Sequence, residues 1–117
     1  LQHMDKSFLA EIEQFSNLKT ALDTKKINAH DRAKNKLIFA FEGGLFTADP
    51  STILFVKMHD DARDLILIDN NNTPIKIVDK NSFLSKAESC YYEAMNEYHL
   101  LYEDLKKQRT VKKLIDE

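Results

Sequence analysis

Hydrophobic positions recur along this chain with two different periods, and the change of period divides it into elements. Between Asp5 and Lys25, Phe8, Ile12, Phe15, Leu18 and Leu22 return at helical intervals and predict an amphipathic helix that ends near Lys25 and Lys26. A second helix is expected from Asn28, a good cap with Asp31 three residues later, through Ala33 and Leu37 towards Phe41, where Gly43 and Gly44 stop it. Leu37 to Phe41 is apolar throughout, so a buried strand is open there, although length favours the helix.

Beyond the glycines the signals shorten. Leu45 to Ala48 predicts a short strand, and Asp49-Pro50 resembles a helix start because aspartate caps and proline suits the first turn. Ile53 to His59 would follow as a short helix, yet Thr52, Ile53, Phe55 and Val56 favour strands, which leaves Ile53 to Met58 open between the two. Leu65 to Ile68 and Pro74 to Val78 flank the polar turn Asp69 to Thr73, the pattern of an antiparallel hairpin with Pro74 at an edge or a strand start. Asn81 or Ser82 then caps a long final helix that continues to about Lys113. The expected fold is α+β and helix-dominated: two N-terminal helices, a small antiparallel hairpin or sheet, and a long C-terminal helix.

The final helix carries the strongest pattern. Leu84, Ala87, Tyr91, Ala94, Tyr98, Leu101 and Leu105 alternate at steps of three and four, a coiled-coil seam that fades at Gln108 and Lys112. Two partners fit it: the first helix of the same chain, or a second copy across a dimer axis. Cys90, Met95 and Tyr102 widen the apolar face beyond what one short helix would cover, which favours a homodimer.

With 117 residues the chain fits one domain, spanning 4–117 once Leu1, Gln2 and His3 are set aside as a cloning scar before Met4. One cysteine cannot make an internal disulfide, and no apolar run approaches the ~20 residues that span a bilayer, so a cytoplasmic protein without a membrane partner is expected. The net charge of -2 predicts no nucleic-acid partner by itself. Its distribution matters more, because Lys106, Lys107, Arg109, Lys112 and Lys113 crowd the end of the final helix. They could meet phosphates or a partner, though cations are expected near a helix C-terminus on dipole grounds alone.

Catalytic and metal signatures are weak. Asp69-Asn70-Asn71-Asn72-Thr73 opens like a calcium loop, but Pro74 replaces the required glycine and Lys80 stands where a bidentate glutamate belongs. His59-Asp60-Asp61 lacks a distant ligand, Gly43-Gly44 lacks the lysine and further glycine of a phosphate loop, and Cys90 has no neighbouring histidine. His99 sits one turn from Glu103 as an exposed helix-face residue. No enzyme, metal site or cofactor is therefore expected.

Phe41-Glu42-Gly43-Gly44-Leu45-Phe46, Asp69 through Ile75, and Asn96-Glu97-Tyr98 through Leu105-Lys106-Lys107-Gln108-Arg109 resemble segments of small uncharacterised proteins of marine contractile-tailed cyanophages. The resemblance covers most of the chain after Met4 and implies a context of virion assembly, DNA metabolism or redirection of host machinery, within the infected host's cytoplasm. It carries no functional residues to transfer. The expectation is a non-catalytic interaction or assembly module that self-associates through its C-terminal helix and engages a further protein. The competing expectation is an accessory protein that meets nucleic acid through its basic end.

Overall fold

In the computed structural model, which describes the backbone of residues 6–116 and the side chains of residues 6–109, the N-terminal region is one helix rather than two. This α1 runs unbroken over Lys6–Lys36. Asn28 does not cap, because no glycine or proline interrupts the stretch and the buried residues Leu22, Ala29 and Ala33 share one packed face. A capping side chain is only a local option, and continuous packing along a partner helix outweighs it.

The partner is α3, Lys80–Asp116, which lies antiparallel to α1. Several pairs fix the register. Arg32 and Lys36 both reach Glu97, the first at 2.6 Å, His30 meets the Tyr98 ring edge-on at 5.8 Å, and the Lys26 ammonium lies 5.6 Å from the Tyr102 ring centre. Ala29, Ala33 and Ala94 are all buried along this stretch, which lets the two backbones approach closely. Asp79, rather than Asn81 or Ser82, caps α3: its carboxylate accepts from the Ser82 N–H at 3.0 Å and from the Ser82 hydroxyl at 2.7 Å.

Leu37 to Phe41 is the strand alternative. β1, Ile38–Phe41, pairs antiparallel with β2, Gly44–Thr47, with Phe39 opposite Phe46. Gly43 and Gly44 thus make a hairpin instead of ending a helix. Glu42 and Gly43 hold φ of 46° and 83°, both left-handed, as a two-residue turn of the type that matches strand twist requires. The short helix over Ile53 is present as α2, Pro50–Lys57, with Asp49 accepting from the Thr52 N–H at 2.7 Å and Pro50 in the first turn. Val56, fully buried, anchors it, so its strand-favouring composition yields to tertiary packing. β3, Leu65–Ile68, and β4, Pro74–Ile77, form the expected second hairpin with Leu65 opposite Ile77.

The hairpins and α2 form a head around the first turns of α3, and the paired helices leave it as a stem, giving a molecule of 77 × 25 × 19 Å. Phe83 of α3 is wholly buried at the centre of the head. Its ring lies 5.4, 5.3 and 5.2 Å from those of Phe39, Phe41 and Phe46, the last two edge-on. Ala48, Val56, Leu65, Ile77 and Ala87 complete the core. Phe83→Ala is expected to cost about 3–5 kcal/mol in urea denaturation, as truncation of a packed aromatic does. A loss below about 1 kcal/mol would remove this ring from the centre of the fold.

Candidate functional site

The seam residues of α3 divide between head and stem. Ala87 belongs to the head core, with half-buried Leu84 and Tyr91 packed against it. Ala94 is fully buried, Tyr98 and Leu101 are half-buried, and Leu105 is buried along the stem that α1 shares. Within one chain this face packs against the head and α1, the intramolecular one of its two expected partners.

Three residues of the basic end lie among the described side chains. Lys106 lies 3.7 Å from Glu103 and beside the Tyr102 ring, Lys107 is exposed, and Arg109 turns towards α1. Lys112 and Lys113, like Val111, Leu114 and Ile115, fall outside the described side chains, and the presumed scar at 1–3 lies outside the described residues.

The polar loops are occupied with building turns. Asp69, 6% exposed, accepts from the Thr73 and Asn71 N–H groups through one oxygen and from the Leu45 N–H through the other. The loop that opens like a calcium site is thus an aspartate-centred turn tied to β2. The Asn70 N–H adds a 2.7 Å bond to the Leu45 carbonyl. Bonds from the backbone of Thr73, then Leu45 and Asn71, hold the Asp69 carboxyl below the usual carboxylate range.

In the other loop, the His59 ring meets the Arg63 carbonyl at 2.8 Å, Asp60 accepts from the Ala62 N–H, and Asp61 and the His59 carbonyl both take Lys80. Among the described residues no group of His, Cys, Asp and Glu converges as metal ligands would. Cys90 donates to the Lys36 carbonyl at 2.8 Å, and burial, then Glu93, push its thiol up, away from the reactive thiolate. His99 lies 3.8 Å from Glu103 on the exposed face of α3.

The feature that can engage something lies on the distal half of the stem. On α1 the apolar face continues from Leu22 through Leu18 and Phe15 to Ile12, Leu9 and Phe8. Leu22 is 8% exposed, but Phe15 is 56%, Ile12 46% and Phe8 50% exposed. A groove of about 230 Å³ opens over Phe15, Leu18, Leu22 and Leu105. Lys19, Lys26 and Arg109 stand on its rim, with Asp23 the acidic group among them.

The amphipathic spacing of α1 marks Phe8, Ile12 and Phe15 as one face but carries no signal of whether that face is covered.

Comparisons with family models, with curated proteins and with solved structures find no match for this chain. No helix among the described residues is long and apolar enough to cross a membrane.

Because the folded pKa of Asp69 is lowered, the stability it supplies is complete above the unfolded value of about 3.9 and is lost as pH falls through the depressed folded value. Asp69→Asn should melt well below the parent near roughly pH 7, with the gap closing towards about pH 2 as the parent's carboxylate is protonated. Melting curves at both pH values test this. An equal gap at both would separate the charge of Asp69 from its contribution to stability.

Proposed function

We propose that this chain is a non-catalytic protein-interaction or assembly module that self-associates through its helical stem, of which the C-terminal helix is one half. The observation that carries this reading is the uncovered apolar run Phe8, Leu9, Ile12 and Phe15 at the end of a 77 Å molecule, next to a groove rimmed by cations. Such a face costs solubility unless a partner covers it. Combined with the resemblance to cyanophage proteins, this makes an assembly or host-interaction factor working in the host cytoplasm the preferred role.

Size exclusion coupled to light scattering, at low and high salt and with or without a mixed nucleic-acid pool, tests the proposal. The expected result is a salt-resistant mass of about twice 13.6 kDa that ignores nucleic acid. A monomer that shifts only with nucleic acid, and only at low salt, would reject the interaction reading and move function to Lys106, Lys107 and Arg109.

A further inference from the structure

The distal stem has two adjoining surfaces of opposite character. The tip of α1 carries Phe8, Leu9 and Ile12 interspersed with Glu11 and Glu13, so it is apolar and acidic, with Lys6 the basic residue beside them. The groove that follows is apolar and basic: Phe15, Leu18, Leu22 and Leu105 form its floor beneath Lys19, Lys26 and Arg109. Within one chain these surfaces lie on successive turns of the same helix and cannot meet. Between two chains they can.

The geometry points to a second copy of this chain as the occupant of the groove, docked tip into groove in both directions about a two-fold axis near Phe15. Set antiparallel and centred there, α1 of one copy brings Phe8 opposite Leu22 of the second copy, Ile12 opposite Leu18, and Phe15 opposite its own counterpart. The same register places Glu11 level with Lys19 of the second copy, so apolar and charged positions are satisfied together. The stems then merge into a short four-helix bundle in which apolar side chains cover the exposed Phe8, Ile12 and Phe15.

This inference rests on the interaction reading above and goes further by naming the surface, the partner and the orientation. It also separates this contact from an α3 seam dimer, which would lay two stems side by side. Tip docking overlaps only about 25 Å of each 77 Å molecule, at 1.5 Å per helical residue, and sends the heads to opposite ends of a particle about 130 Å long.

A charge-swap experiment provides the test. Glu11→Lys/Glu13→Lys makes tip and groove both basic, whereas Lys19→Glu/Arg109→Glu makes both acidic, so each variant alone should repel itself. Mixed, they restore attraction at both contacts. All four residues are at the surface, and circular dichroism checks that each variant keeps its helices.

The expected result is that each variant is largely monomeric by sedimentation equilibrium, that the mixture is dimeric, and that X-ray scattering of the wild-type chain gives the longer particle. Ile12→Asp, at an exposed site, should weaken the dimer by roughly tenfold or more through lost apolar burial. A wild-type dimer indifferent to these changes would overturn tip docking and leave the interaction reading standing. A wild-type monomer at high concentration would overturn docking of a second copy. If that monomer binds an acidic amphipathic peptide in the groove, the occupant is another protein: self-association falls and only the interaction role remains. If it shifts only with nucleic acid at low salt, both proposals fall.

Discussion

The close approach of α1 and α3 sets every other distance in this molecule. Ala29, Ala33 and Ala94 remove side-chain bulk from between the two backbones, and Glu97, taking both Arg32 and Lys36, fixes one helix along the other. Lys36, then Arg32, hold the Glu97 carboxyl below its ordinary range. Because the last turn of α1 is held against the middle of α3, β1 starts at a defined height and its Phe39 and Phe41 arrive at Phe83. The same pairing, followed the other way, passes the buried Leu22 and Leu105 and reaches the exposed Phe15, Ile12 and Phe8.

The head depends on a second, polar constraint. Its two hairpins are separate two-stranded sheets with no ladder between them. Asp69 joins them, organising the β3–β4 turn with one oxygen and holding β2 with the other, while Asn70 bonds the Leu45 carbonyl and the Thr47 hydroxyl. A buried carboxylate is tolerated here because each oxygen is met by backbone donors. Hydrophobic packing around Phe83 gathers the pieces, and Asp69 determines which edge of one hairpin meets which turn of the other.

Much of this was legible along the chain, and the misreadings share a cause. The second hairpin, the short helix after Asp49-Pro50 and the long final helix are written in local chemistry, which the structure respects. Asn28, Gly43-Gly44 and Ser82 carry equally local signals that serve more than one purpose. Asparagine caps a helix only if the chain lacks a better reason to continue, and α3 gives α1 that reason. Glycine ends helices and turns hairpins alike, so Gly43 is decided by whether Phe39 finds Phe46 across a turn. Exposure at Phe8, Ile12 and Phe15 is set by contacts between elements, which no period within α1 can reveal.

The Cys90 to Lys36 contact joins positions 54 residues apart, with the whole head enclosed between them. Closing that loop is the large entropic cost of building the stem, and the head bears it by folding through contacts nearer in sequence. Each further pair towards the tip then extends a helix pair already in register, so the stem closes like a zipper from head to tip. A partner that covers Phe8 and Ile12 would therefore add its stabilisation at the end of the stem farthest from the head.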